Sequence, residues 1–402
     1  LKILSIPLAL FAVCACAHAR LSPLAPAPAW SRLDAFQETI TRADFQTLLD
    51  RVYAPGGAWT ETITIDNDGA LIRTSAGRSP YFLKFAPDAA SSKRPPTYWK
   101  PRAALGMGDP AKPLAGLKVA LDPGHIGGSF AKMEERWFRI GNSAPVTEGD
   151  MTLRVAKLLV PRLQALGAEV FLTRSKPAPV TPQRPQQLRA AAAESLKQKG
   201  DAATPVAVAK ESERLFYRAS EIRRRARIVN EAEHPDVVVC LHFNAEEWGD
   251  EKNPRLTTEN HLHFLLTGAM TRDELSYDDQ RLDMLVKLLN RSFAEELPLT
   301  NALADTMSRA TGLPPYTYRG GSVVRVNDNP YVWARNLLAN RLFTCPVVYA
   351  EPYVMNSRNV FARIQAGDYN GLREFGGTPK KSIYREYADA IATGLAKYYS
   401  TR

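Results

Sequence analysis

An α/β fold is what this 402-residue sequence predicts: a twisted, mostly parallel sheet covered by helices on both faces, preceded by a small N-terminal α+β domain. Three observations carry that expectation. Short apolar runs such as Val237-Val238-Val239-Cys240-Leu241 and Val347-Val348-Tyr349-Ala350 are too brief for helices and suit strands buried on both faces. Stretches with helical spacing lie between such runs, one carrying Val155, Leu158, Leu159 and Leu166 and stopped by Gly167. Histidines and carboxylates stand where the apolar runs end, and in open α/β sheets chemistry gathers beyond the carboxyl ends of the strands.

The composition bounds the rest. Apolar residues make up 45% and charged residues 23%, enough for a sizeable core. The formal net charge of +10 favours an anionic partner. That charge is dispersed and no basic platform interleaved with aromatics stands out, which argues against nucleic acid. The pattern does not specify an oligomeric state.

Taken in order, residues 1–19 read as a signal peptide. Lys2 gives a basic start, Ile3 to Val13 an apolar core too short for a membrane span, and Ala17-His18-Ala19 a cleavage site. A lipoprotein anchor through Cys16, in Val13-Cys14-Ala15-Cys16, is the second-ranked reading. Either places the protein outside the cytoplasm, periplasmic or associated with the wall. Residues 20–100 form the expected small domain. Its lead-in is Pro-rich, Thr41 can cap a helix with Phe45, Leu48, Leu49, Val52 and Tyr53 on one face, and Asp66-Asn67-Asp68-Gly69 joins two strands. That acidic turn is no calcium loop, because the position for a bidentate Glu is Gly77. A connector is expected at 101–116, within a longer Pro/Ser/Lys/Gly-rich stretch from residue 88.

The main domain, 117–402, opens with a strand at Lys118 to Leu121. Asp150 can cap the next helix, which Pro161 should bend or delay. Strands follow at 168–173, 236–242, 261–266 and 345–351, with helices over 275–312 and after Ser382. Insertions are expected near 126–147, 175–218 and 246–258. Arg223-Arg224-Arg225 and Arg227 read as a solvated helix face, with contact to an anionic polymer as the sharper alternative. Cys240 and Cys345 lie in apolar runs and read as buried, inert thiols.

Four residues fall at strand ends or helix starts: His125, Glu148, His242 and Glu351. Two histidines and a carboxylate are a common catalytic zinc set with a fourth position left for water, and a second carboxylate can then move the proton. The plainer alternatives are satisfied structural histidines, a helix N-terminal carboxylate at Glu148 and a buried salt-bridge partner at Glu351. His261 and His263 share one strand face; they could join a metal site, but core packing or a wall of the substrate site is the favoured reading.

Leu121-Asp122-Pro123-Gly124-His125, Glu148-Gly149-Asp150-Met151-Thr152-Leu153, Leu241-His242-Phe243-Asn244-Ala245 and Pro346-Val347-Val348-Tyr349-Ala350-Glu351 occur in one order. In these motifs, over roughly 117–400, the chain resembles the zinc-dependent N-acetylmuramoyl-L-alanine amidases of type 3. The resemblance implies one Zn2+ held by His125, Glu148 and His242, Glu351 as general base and acid, and peptidoglycan as substrate. It also implies an activator protein where an inserted helix covers the metal. The sequence departs from the family in its long 126–147 segment, its other insertions, and Pro352, where the family has a small or apolar residue followed by Gly. Two other readings compete. One is a non-catalytic peptidoglycan-binding or regulatory protein on this scaffold, the other a zinc peptidase or deacetylase with a different amide substrate.

Overall fold

A computed structural model describes residues 20–400 except 76, 106–108 and 251–252. The expected signal peptide, Cys16 included, lies outside the described residues.

Helix α1 (Arg42–Leu48) is capped as expected, with the Thr41 hydroxyl accepting from the Asp44 N–H at 3.1 Å. Strands β1 (Ile63–Ile65), β2 (Gly69–Ile72) and β3 (Tyr81–Lys84) form an antiparallel sheet. Their core is shared with the rest of the chain: Phe45, Leu49 and Tyr53 pack with Leu282, Leu285 and Leu289. Two backbone bonds, Ala269 N–H to Val52 O at 2.7 Å and Met270 N–H to Tyr53 O at 2.8 Å, tie the two parts together. The stretch before residue 117 is pinned too, since Trp99 is buried and the Lys100 N–H donates to Asp236.

The main part begins with β4 (Lys118–Pro123), a small pair β5 (Trp137–Phe138) and β6 (Val146–Thr147), then α2 (Glu148–Ala165) and β7 (Glu169–Leu172). Helices α3 (Arg189–Lys199), α4 (Pro205–Leu215) and α5 (Glu221–Arg227) lead to β8 (Val237–Leu241) and β9 (Leu262–Thr267). After α6 (Arg272–Leu275), α7 (Asp278–Leu289) and α8 (Phe293–Thr311) come β10 (Val323–Arg325), β11 (Val332–Arg335) and α9 (Leu338–Leu342). The chain closes with β12 (Val347–Pro352), α10 (Arg358–Gln365), the hairpin β13 (Arg373–Phe375) and β14 (Thr378–Lys380), and α11 (Ile383–Ser400).

Seven strands form the central sheet in the order β10-β11-β9-β12-β8-β4-β7. Strands β12, β8, β4 and β7 run parallel; β9 is antiparallel to β12, and β11 is parallel to β9. The sheet is thus mixed but mostly parallel, with both faces covered. Val119, Leu121, Val237, Val239 and Leu241 face α2, α8 and α11, while Ala120, Val238 and Cys240 face the side of α5 and α9. Burial on both faces is why these strands read as unbroken apolar runs, and each buried Val or Leu contributes ~1.5–3 kcal/mol.

Two local expectations are corrected. Helix α2 starts at Glu148, and Asp150 sits in its first turn, where its carboxylate accepts from the Gly128 N–H at 2.9 Å instead of capping. Pro161 lies inside that helix, as expected, and the helix start is not delayed. Arg225 presents no solvated face: it is buried, with Nη1 on Asp122 at 3.0 Å and Nε on Glu221 at 2.9 Å.

Candidate metal and catalytic site

His125 and His242 follow neighbouring parallel strands, paired so that Pro123 lies opposite Leu241. Their rings therefore emerge side by side, 5.2 Å apart between centroids. The chain must turn sharply to achieve this, and His125 adopts a left-handed backbone with φ of +60°. A Cβ at Gly124 would run into the His242 ring, so that position tolerates no side chain. Gly149 is held to glycine for a similar reason, because a Cβ there would collide with the backbone of Gly127. The first loop thus packs directly on the start of α2 and sets Glu148 beneath both imidazoles.

Glu148 is 2% exposed. One carboxylate oxygen lies 3.1 Å from His125 Nε2, and the other lies 3.1 Å from His242 Nδ1 and accepts from the Phe243 N–H at 3.1 Å. Burial by itself would raise its pKa, but the two histidines prevail and hold it well below the usual carboxylate range. One donor atom from each of His125, Glu148 and His242 fits within a 4.8 Å cluster. Two imidazole nitrogens and a buried carboxylate, converged this closely, fit a zinc-type ion. The His242 ring is further fixed by stacking on Tyr349 at 4.3 Å.

Glu351, next to last in β12 and on the same face as Tyr349, opens to the cavity with 19% of its side chain exposed. Antiparallel pairing sets it directly opposite His263. His263 Nε2 donates to Glu351 Oε2 at 3.0 Å, the Tyr318 hydroxyl lies 2.8 Å from that nitrogen, and the buried Nδ1 has no partner among the described residues. Bare Nδ1 is an acceptor, which is cheaper to leave unpaired than an N–H, so this pattern matches the tautomer protonated at Nε2. Burial would push the Glu351 carboxyl up, yet the His263 hydrogen bond keeps it below its ordinary range. His261, two residues earlier, bonds Glu246 at 2.9 Å instead. The role of His263 escaped the sequence because it depends on strand direction; the spacing of the two histidines located the face but not the partner.

Tyr353, which follows Pro352, takes a left-handed φ of +62°. Its N–H reaches His261 O at 3.0 Å and its hydroxyl reaches Glu386 at 2.7 Å, which holds a conformation that non-glycine residues rarely adopt.

All four expected residues line one cavity of about 640 Å3, together with Arg136, Arg218, Trp248 and Arg335. Behind it, buried arginines brace the loop that carries His125. Arg225 donates to Pro123 O at 2.7 Å and to His125 O at 2.7 Å, and Arg174 donates to Gly124 O at 3.0 Å and Gly149 O at 2.6 Å. The 175–218 segment reaches the cavity through Tyr217 and Arg218, and the 246–258 segment through Glu246 to Gly249.

The profile of one family, described as Amidase_3: N-acetylmuramoyl-L-alanine amidase, matches residues 119–371, well over half of the chain. The chain belongs to that family. No curated protein matches it in sequence. Among solved structures it is similar to the amidase Ami1 of Mycobacterium abscessus, at 18% identity and TM-score 0.41 over 71% of this chain and 99% of that one. Ami1 of Mycobacterium smegmatis is similar at 17% identity and TM-score 0.41, over 72% and 99%. The CwlD amidase of Clostridioides difficile, solved with the GerS lipoprotein, is similar at 15% identity and TM-score 0.40, over 71% and 100%. No helix among the described residues is long and apolar enough to cross a membrane.

Proposed function

We propose that this chain is an exported, zinc-dependent N-acetylmuramoyl-L-alanine amidase. It would cut the amide between the lactyl group of N-acetylmuramic acid and L-alanine in peptidoglycan. The observation that carries the reading is that the family's four motif residues share one cavity, three of them as a close donor cluster. His125, Glu148 and His242 would hold one zinc ion, which when bound polarises the scissile carbonyl and brings the pKa of water from ~15.7 to about 7.

The chain's own residues do the rest. Glu351, kept ionised by His263, takes the proton of the attacking water and returns it to the departing amine. The C–N bond breaks and a C–O bond forms, leaving a lactyl carboxylate and a free L-alanine amino terminus. Export through residues 1–19 would bring the protein to this substrate, and the +10 charge would favour its retention on anionic wall material.

The test is mass spectrometry of purified sacculi incubated with the zinc-loaded protein, beside a chelator control and Glu351→Gln. The expected result is zinc-dependent release of peptides with free L-alanine amino termini and intact glycan. The same assay shows whether an activator protein is required, by repeating it with a host extract. Silence in both arms from protein shown to hold zinc would overturn the proposal.

A further inference from the structure

The segment between the first two expected ligands is longer than the family pattern, and the function above leaves it unused. It is nonetheless built against the site. Phe138 is buried and packs on Trp248 and Phe361, with centroids 5.2 and 6.1 Å away. Strands β5 and β6 pair just before α2, with Trp137 opposite Thr147. Lys132 lies over the Trp137 ring at 4.3 Å, and Arg136 reaches Glu148 at 3.2 Å.

Glu134, a carboxylate of this segment, is buried beside the ligands, at 2% exposure. Its carboxylate accepts from the Ile126 N–H at 2.8 Å and the Gly127 N–H at 3.0 Å. Those are the two amides just after His125, in a turn whose residues 125 and 127 both have positive φ. A buried anion here satisfies amides the left-handed turn leaves unpaired. The same carboxylate stands 3.7 Å from His125 Nδ1, the nitrogen turned away from Glu148. That is about half an ångström beyond a hydrogen bond, within reach of a small ring rotation.

We propose that Glu134 is a positioning residue for the metal: it fixes the turn that aims His125 and accepts a hydrogen bond from the His125 Nδ1–H, so that Nε2 presents the lone pair. Carboxylates behind metal-bound histidines fix tautomer and ring orientation, and losing one costs ~10–100-fold in metal affinity. This inference rests on the zinc reading above, and its test separates the two.

Zinc affinity of the full chain is measured by competition with a chromophoric chelator for the native protein, His125→Ala, Glu134→Gln and Glu134→Asp. The expected result is tight binding by the native protein, its loss in His125→Ala, and binding ~10–100-fold weaker in Glu134→Gln with metal-free melting unchanged. Failure of the native protein to bind zinc would refute the zinc reading. Native affinity retained in Glu134→Gln would refute the positioning role alone. If both Glu134 variants fail to fold, nitrogen-15 histidine spectra of the native zinc-loaded protein decide. A slowly exchanging proton on His125 Nδ1 supports the proposal; a bare or rapidly exchanging Nδ1 overturns it.

Discussion

The two ends of strand β12 both carry buried charge, and they use it in opposite ways. At its amino end Lys287 and Glu296 pair at 2.6 Å with both side chains 0% exposed. Lys287 also donates to Cys345 O at 2.9 Å, and Glu296 accepts from the Val347 N–H at 3.1 Å, so the pair clamps the start of the strand. At the carboxyl end His263 holds Glu351, but Glu351 keeps part of its side chain open to the cavity beside Glu148 and the two facing histidines. Burial of charge therefore does not mark function on this strand. Convergence of several donors on an accessible cavity does, because there the groups have chemistry left to do after their structural partners are counted.

The largest expected effect breaks the open end. Glu351→Gln should lower kcat ~10²–10⁴-fold while zinc content and melting stay at native values, read by peptide release and metal analysis. Unchanged turnover would remove Glu351 from the chemistry. The closed end should fail differently. Lys287→Met leaves Glu296 unpaired in the core and should cost ~3–5 kcal/mol in denaturant unfolding, while the protein that remains folded keeps native kcat. A loss of kcat without a loss of stability would erase the contrast between the two ends of the strand.

His263→Gln sharpens the comparison with a smaller effect. The Glu351 carboxyl sits below its ordinary range in the folded chain, so the base is competent down to acidic pH and is lost as pH falls through that lowered value. Without the His263 bond the burial that opposes ionisation is left standing, so the acid limb of kcat/KM should move to higher pH, with zinc retained. A pH profile that does not move would assign His263 to packing alone. Smallest of all is the expected effect of thiol reagents. Cys240 and Cys345 are free and buried, and burial pushes both thiols above their usual range, Cys345 to about 12. Modification should proceed only at the rate of opening of the fold, measured against denaturant, and leave native activity untouched.

Much of this molecule was readable without coordinates. The apolar runs at β4, β8 and β12, the helix after Glu148, the Thr41 cap and the two buried cysteines follow from local spacing and side-chain chemistry. The four motif residues stand out in the sequence because each lies next to a strand end or helix start, a neighbourhood along the chain. The errors share one cause. Arg225 looks like part of a solvated basic run until Asp122, 103 residues away, is folded against it. Asp150 looks like a cap until Gly128 offers its amide.

Side-chain period and apolar content, which are local, determined where strands and helices lie and which residues end them. Strand direction in the sheet belongs to tertiary structure, because an apolar run reads the same whichever way its neighbour runs. The antiparallel register that sets His263 opposite Glu351, and the return of Glu134 onto the turn after His125, depend on that ladder and on close packing between distant segments.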